Sequence, residues 1–329
     1  MRETAFDLHE LAARAECRIR GHVRETPLEP SPALSDLAGI DVSLKLENFQ
    51  ETGSFKLRGA LSKLTSMTDS ERERGVITAS TGNHGLATAH AARELGMSAE
   101  VVVPETVSAW RADALRGLGA AVSVRGAECA EAEAFARDRA ARTGRVYVSP
   151  YNDIEVVAGQ GTIGLELARQ CPRADLVAAT VGGGGLLAGV AGALKDGGYD
   201  GLALGCVPAN SPTMYESVRA GLIITTPVLP TLSGSSAGNV EEGAITFDLC
   251  RRYVDDWAVV SEDRILDAVR IVYRHHDMVI EGAAGVAVAG LVEFARAAGL
   301  NRESRAVIIV CGGNVSPELL ARVVLDKAD

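Results

Sequence analysis

Short apolar runs alternate with helix-forming segments along most of this 329-residue chain, and this alternation is the feature that most restricts its fold. Between Gly75 and Ser149 the strand-like runs are 76–79, 100–103, 121–124 and 145–148, separated by alanine-rich segments. The rhythm returns at 176–181, 202–207, 256–260 and 306–310. Strands joined through helices lie parallel in their sheet. The sequence therefore predicts an α/β protein with parallel sheets, preceded by a helix over 7–20 and a half-exposed strand over 41–46.

Charge and cysteine content exclude several classes of partner. The formal net charge of −10 and the pI near 5.2 argue against binding to nucleic acid or an anionic membrane. The six cysteines form no C-x-x-C pair, so no metal or redox motif can be drawn from them. The segment Met1–Thr4 carries no apolar signal, and no run approaches the length of a membrane span. We expect a cytoplasmic protein.

One lysine lies in a turn of small polar residues directly before a helical segment. In the stretch 48–60, Lys56 follows Phe55, and Gly59 begins an amphipathic run. A lysine at a helix entrance has a lowered pKa and a more reactive amine, and the neighbouring ring can pack against a flat ligand. By itself the pattern also fits a solvated surface lysine.

Four consecutive glycines follow a strand and precede a helix. Gly182, Gly183, Gly184 and Gly185 lead into Leu186, so their backbone N–H groups can converge on an oxyanion at a helix N-terminus. A tight turn alone needs fewer glycines. The spacing matches neither G-x-G-x-x-G nor a P-loop. We predict a phosphate site.

A second strand–helix junction, Ser80-Thr81-Gly82-Asn83-His84-Gly85, offers hydroxyl and N–H groups that suit a carboxylate. The alternative is an ordinary N-cap, with Ser80 or Thr81 satisfying free backbone donors. Residues 227–243 form the longest predicted loop, and a loop of this length is expected to border the site.

Together with Cys311-Gly312-Gly313-Asn314, these motifs resemble the fold-type II pyridoxal-phosphate enzymes, specifically the threonine/serine dehydratase and serine racemase family. The resemblance runs from about residue 25 to residue 316. It implies the two-domain, parallel-sheet architecture of tryptophan synthase β-like enzymes. Residues 1–48 and 150–329 would form the large cofactor-binding domain, and residues 49–149 the smaller inserted one.

The resemblance also implies roles for individual residues. Lys56 would hold pyridoxal 5'-phosphate through its amine and later remove the Cα proton of the substrate. Asn83 would hydrogen-bond the ring hydroxyl of the cofactor, and Cys311 would face the ring nitrogen where relatives carry Ser or Thr. Phe55, Glu281, Leu186 and the four glycines would complete the cofactor site. Ser80, Thr81, Gly82, Asn83 and His84 would bind the amino-acid substrate. For Cys311 a small buried apolar residue remains an alternative, and for Glu281 a solvated helix-start residue.

The predicted reaction is elimination of water from a small β-hydroxy amino acid, giving a 2-oxo acid and ammonia. The substrate could instead be 3-hydroxyaspartate or a hydroxyectoine derivative, because residues 233–243 resemble hydroxyectoine-utilisation dehydratases. Racemisation is the rival activity, with Thr81 as the second catalytic base where racemases have Ser. A non-catalytic cofactor-binding protein is the alternative outside enzymes. Val207 and Thr213 stand where metal-dependent relatives carry carboxylates, so we predict no divalent metal site. A homodimer is expected.

Overall fold

The computed structural model describes residues 6–325; the segment 1–4 considered above lies outside this range. Within it, none of the helices combines the length and apolarity that crossing a membrane requires. The helices are α1 (Leu8–Ile19), α2 (Pro32–Ala38), α3 (Lys56–Ser66), α4 (Asp69–Arg74), α5 (Asn83–Glu94), α6 (Ala109–Gly117), α7 (Cys129–Thr143), α8 (Ile154–Gln170), α9 (Gly185–Asp196), α10 (Thr213–Ala220), α11 (Ile245–Tyr253), α12 (Glu262–His276), α13 (Gly282–Ala297) and α14 (Pro317–Val324), with a 3₁₀ turn at Glu47–Phe49. The strands are β1 (Leu28–Pro30), β2 (Asp41–Leu46), β3 (Val76–Ala79), β4 (Ala99–Val103), β5 (Ala121–Val124), β6 (Val146–Tyr147), β7 (Leu176–Thr180), β8 (Leu202–Pro208), β9 (Asp256–Val260) and β10 (Arg305–Val310).

The strands form two sheets. The larger has the order β1-β2-β10-β7-β8-β9, and every neighbouring pair is parallel except β1 with β2. The smaller has the order β5-β4-β3-β6 and is wholly parallel. We call the larger sheet, together with the helices packed on it, the six-stranded unit. The smaller sheet with its helices is the four-stranded unit. The predicted parallel α/β architecture is confirmed.

The strand predicted over 41–46 is present as β2, with Asp41 exposed and Ser43 half-buried, but its half-exposed pattern fails at Lys45. β2 lies between β1 and β10, and Val42, Leu44 and Leu46 are fully buried. Lys45 is buried as well, although the sequence places a charge there. An alternation of polar and apolar residues in one sequence cannot show that a polar side chain has a buried partner elsewhere in the chain.

Helix α8, which the sequence pattern did not reveal, joins the two units. Its residues from Val156 to Leu167 are all buried, and it packs on α1, α3 and α9. The contact with α3 needs a glycine, because a Cβ on Gly159 would lie 2.5 Å from the carbonyl oxygen of Arg58. This close approach brings α8 side chains to the start of α3, where Lys56 lies.

A fully buried cluster of charged side chains ties these elements together. Arg58 donates to both oxygens of Glu47 at 2.8 and 2.9 Å and to both oxygens of Glu166 at 2.8 and 2.9 Å. Lys45 Nζ donates to Glu166 Oε2 at 2.6 Å and to the carbonyl of Thr26 at 2.7 Å. Two cations thus face two anions, and the buried charge is balanced.

The protonation of this cluster follows from the pairing. Burial alone would raise the pKa of Glu166, but Arg58 and Lys45 hold that pKa below its ordinary value. Burial lowers the pKa of Lys45, and the attraction of Glu166 opposes the shift. The cluster is therefore an ionised network whose members depend on one another.

Replacing Arg58 by Met should lower the free energy of unfolding by about 3–5 kcal/mol, because two buried carboxylates lose their shared partner. Arg14→Met is the matched control, since it breaks an exposed pair with Glu10 within α1 and should cost below about 0.5 kcal/mol. Denaturant unfolding of the three proteins measures both values. Equal losses for Arg58→Met and Arg14→Met would contradict the role given to the cluster.

Candidate active site

The turn that carries Lys56 is held against the end of β10. Phe55 N–H donates to the carbonyl of Cys311 at 3.1 Å, and Gly313 N–H donates to the carbonyl of Gly53 at 2.9 Å. Gly53 has φ +71°, and a Cβ there would lie 2.6 Å from Oδ1 of Asn314. Two predicted motifs, distant in sequence, therefore form one hydrogen-bonded structure.

Most of the predicted site residues line one cavity of about 190 Å³. Lys56 and Phe55 lie on its wall together with Asn83, Glu281 and Cys311. The remaining predicted members are the glycine turn and the residue after it: Gly182, Gly183, Gly184, Gly185 and Leu186. The predicted long loop, which extends over residues 221–244, contributes residues 235–239.

Lys56 is the first residue of α3, and its amine donates at 2.8 Å to the carbonyl of Pro150, which also lines the cavity. Burial lowers the pKa of Lys56 to about 8, although the nearby Cys311 and Glu281 oppose the shift. About a tenth of its amine is therefore neutral and nucleophilic at pH 7, far more than in an exposed lysine.

The glycine turn presents free donors to the cavity. Within residues 6–325, no protein acceptor takes a hydrogen bond from the N–H groups of 182–186. Gly184 is the N-cap of α9 with φ +87°, and no side chain caps this helix. A Cβ on Gly183 would lie 2.3 Å from the ring of Tyr151, and one on Gly182 would lie 2.6 Å from the carbonyl of Ser236. Packing therefore explains why glycine is needed twice here, and the uncapped helix end suits an anion.

The junction between β3 and α5, residues 80–85, does not form the N-cap by Ser80 or Thr81 that the sequence left as an alternative. The N-cap of α5 is Gly82 and has no side-chain hydrogen bond, while Ser80 Oγ accepts from Gly82 N–H at 3.2 Å. Of the five residues predicted to bind substrate, only Asn83 lines the Lys56 cavity; Thr81 and Gly82 line an adjoining cavity that Asn83 also borders. Ser80 lines neither.

The prediction that His84 contacts the substrate finds no support in its position. Its side chain is buried, Nε2 donates to the carbonyl of Val148 at 2.9 Å, and it lines neither cavity. Burial lowers the pKa of His84 to about 3. The ring is therefore a neutral packing element that joins α5 to the end of β6.

Glu281 is the centre of the polar network in the cavity. Its Oε2 accepts from Asn83 Nδ2 at 2.8 Å, and its Oε1 accepts from Ser235 Oγ at 2.8 Å and from the Cys311 thiol at 3.7 Å. Asn83 Oδ1 in turn accepts from Asn314 Nδ2 at 2.7 Å. Glu281 is thus buried and bonded, not a solvated helix-start residue.

Burial sets the charges in this network. It raises the pKa of Glu281 above its ordinary value despite the three hydrogen bonds, and it raises the pKa of Cys311 well above that of a free thiol. Cys311 therefore stays a neutral thiol, and Glu281 takes up a proton more readily than an exposed glutamate does. The carboxylate orients Asn83 and Ser235 toward the same space.

Several cavity residues were not predicted. Pro150 and Tyr151 follow β6. Thr180 is the last residue of β7, and Ala283 lies in the first turn of α13. Pro150, Tyr151 and Thr180 belong to none of the motifs recognised in the sequence. The carboxyl ends of β7 and β10, where ligands bind in parallel sheets, would have pointed to Thr180 but not to Tyr151.

The structure leaves the expectation about metals as a prediction. Val207 is buried in β8, and Thr213 Oγ1 is 2.6 Å from Thr226 Oγ1. Between residues 6 and 325, no cluster of three or more His, Cys, Asp or Glu side chains could hold a metal ion.

The cavity contains a reactive lysine and a helix N-terminus with free N–H groups. These two features define an enzyme that holds a phosphate-bearing cofactor on an amine. Residues 19–312 match the family model described as pyridoxal-phosphate-dependent enzyme. The chain belongs to this family, and it is a pyridoxal-phosphate-dependent lyase of the dehydratase type.

Individual relatives agree with this assignment. The L-threonine ammonia-lyase of Thermotoga maritima is 36% identical over 310 residues, which cover 94% of this chain and 76% of that protein. The processed form of threonine deaminase isoform 2 from Solanum lycopersicum superposes with a TM-score of 0.91 at 32% identity, over 97% of this chain and 92% of that one. Maize serine racemase superposes with a TM-score of 0.90 at 30% identity, over 96% of both chains.

The described residues fit pyridoxal phosphate. The uncapped end of α9 offers N–H groups for the phosphate, Lys56 offers an amine with a lowered pKa, and Asn83 offers an amide to the ring. Cys311 places a neutral group at the end of β10.

Gly183→Ala should weaken pyridoxal phosphate binding, because the new Cβ displaces Tyr151 or distorts the turn. Loss of one charge-assisted hydrogen bond of about 1.5–3 kcal/mol corresponds to roughly 10- to 150-fold in Kd. Gly234→Ala is the control in the neighbouring loop, since nothing lies within 4 Å of a Cβ there. Absorbance titration of cofactor-free protein gives both constants. An unchanged Kd in Gly183→Ala would exclude the glycine turn as the phosphate site.

His84 predicts a pH dependence of stability. Its pKa is about 3 in the folded protein and about 6.5 when unfolded, so its contribution is complete above pH 6.5 and is lost as pH falls toward 3. His84→Gln keeps a donor for Val148 but cannot titrate. As pH falls from 6.5 to 4, the unfolding free energy of His84→Gln should decrease less steeply than that of the wild type. The difference in slope should be up to about 1.4 kcal/mol per pH unit. A slope in His84→Gln equal to that of the wild type would contradict this account.

Proposed function

We propose that this enzyme eliminates water from a neutral β-hydroxy amino acid, L-threonine or L-serine, to give a 2-oxo acid and ammonia. The supporting observation is the charge of the cavity wall. Lys56 is the only cation and Glu281 the only acid among the lining residues within 6–325. The rest of the wall is apolar, hydroxyl or amide, with Ser235, Ser236 and Asn239 on the loop side.

This charge distribution disfavours substrates with a second carboxylate. A 3-hydroxyaspartate side chain would bring an anion into the partly desolvated Lys56 cavity, whose single cation is needed for chemistry; Arg111 lines the adjoining cavity and not this one. The names of the relatives described above support the same choice. A hydroxymethyl or hydroxyethyl side chain suits a wall of hydroxyl, amide and apolar groups.

The chain's own residues divide the work. The N–H groups of 182–186 bind the phosphate, Asn83 orients the ring, and the amine of Lys56 takes the Cα proton. When bound, pyridoxal phosphate supplies an electron sink for the charge that develops at Cα. The junction at 80–83, with an uncapped helix N-terminus, binds the substrate carboxylate.

Elimination is favoured over racemisation because of where Thr81 lies. A racemase needs a second base facing Cα from the side opposite Lys56. Thr81 lines the adjoining cavity with Asn83 and Gly82, and it does not line the Lys56 cavity. We therefore assign Thr81 to carboxylate binding, not proton transfer.

We also propose the domain division 1–48 with 150–329 and 49–149. β3, β4, β5 and β6 all fall within 49–149, and the six-stranded sheet falls outside it. A cytoplasmic homodimer remains our expectation.

Turnover should be lost in Lys56→Ala, which lacks the base, while Lys63→Ala on the same helix should retain activity.

Oxo acid and ammonia are measured with L- and D-serine, L- and D-threonine, and 3-hydroxyaspartate. L-Serine and L-threonine should be consumed with kcat/KM at least ten-fold above that for 3-hydroxyaspartate. A preference for 3-hydroxyaspartate would overturn the substrate class, and interconversion of serine enantiomers at the rate of elimination would overturn the choice of reaction.

A further inference from the structure

The loop over 221–244 is fastened mainly to the six-stranded unit. Asn210 donates to the carbonyl of Pro230 at 2.6 Å, and Gly238 N–H donates to Ser211 Oγ at 3.0 Å. Within residues 6–325, its only hydrogen bond to the four-stranded unit is between Arg137 of α7 and Glu241. The Arg137 guanidinium lies 2.8 Å from Glu241 Oε2. Among the described residues, this ion pair is thus the single hydrogen-bonded link between the loop and the four-stranded unit.

Arg137 is held in place independently of Glu241. It donates to Glu133 Oε1 at 2.8 Å, one turn earlier in α7, and its guanidinium lies 4.3 Å from the ring centroid of Tyr147. The Tyr147 hydroxyl donates to the same Glu133 oxygen at 3.2 Å. The cation is thus presented to the loop in one fixed position, so less side-chain entropy is lost on pairing.

The backbone of Glu241 continues the connection inward. Its N–H donates to the hydroxyl of Tyr151 at 3.0 Å. The Tyr151 ring covers the glycine turn so closely that a Cβ on Gly183 would lie 2.3 Å from it. Neither Arg137 nor Glu241 lines the cavity, whereas Tyr151 does.

We propose that Arg137 and Glu241 are positioning residues for the cofactor site. Their ion pair holds the loop against the cavity, and through Glu241 N–H it fixes Tyr151 over the turn whose N–H groups bind phosphate. Cofactor affinity then depends on a contact that does not touch the cofactor. This inference rests on the cofactor of the family and not on the identity of the substrate.

The test is absorbance titration of cofactor-free protein with pyridoxal phosphate, which needs no substrate. Glu241→Gln keeps the backbone N–H but removes the charge, and Arg137→Met removes the other partner. Each should raise Kd about two- to five-fold, as expected for loss of a partly exposed ion pair, and the double variant should raise it no further. Arg137→Lys should recover part of the affinity.

Asp138→Asn is the matched control, because it breaks an exposed ion pair with Arg142 on the same helix. Its Kd should equal that of the wild type, and thermal unfolding should be similar in all variants. Single variants indistinguishable from Asp138→Asn would overturn the proposal, and so would additive effects in the double variant. Limited proteolysis within 221–244 should accelerate in Glu241→Gln and not in Asp138→Asn.

Discussion

The bidentate contacts of Arg58 with Glu47 and Glu166 are the constraint on which the site depends. They fix α3 against α8 in an interior where no charge can be left alone. Lys56 lies half a turn before Arg58 on the same helix. Any rotation of α3 that moved the lysine would pull the guanidinium away from its carboxylates. Electrostatic pairing in the core thereby sets the direction of a reactive amine at the cavity wall.

A second network arranges the groups around that amine. Glu281 lies at the start of α13, accepts from Asn83 of the four-stranded unit and from Ser235 of the long loop, and contacts Cys311 at the end of β10. One carboxyl group therefore binds side chains from three other parts of the chain. The same desolvation that raises its pKa lowers that of Lys56, so the two groups approach each other in proton affinity.

The sequence predicted what is local and missed what is long-range. Three features depend on consecutive residues and lie where expected: the strand–helix alternation, the glycine turn and the Lys56 turn. Lys45 was misjudged because its partner Glu166 lies 121 residues away. For His84, which was predicted to contact the substrate, the polar motif does not reveal the buried hydrogen bond to the carbonyl of Val148. Tyr151 went unnoticed because its role comes from contacts with Gly183 and Glu241, neither adjacent in sequence.

The separation between Arg58 and Glu166, 108 residues, has a consequence for how the chain is made. On the ribosome the N-terminal strands and the four-stranded sheet emerge before α8 exists. Until residue 166 appears, Arg58 and Lys45 lack a carboxylate that they require for burial, and α3 cannot settle. We therefore expect the early part of the chain to stay partly solvated until α8 docks, and the lysine turn to reach its final geometry only when residues 311–313 also bind it.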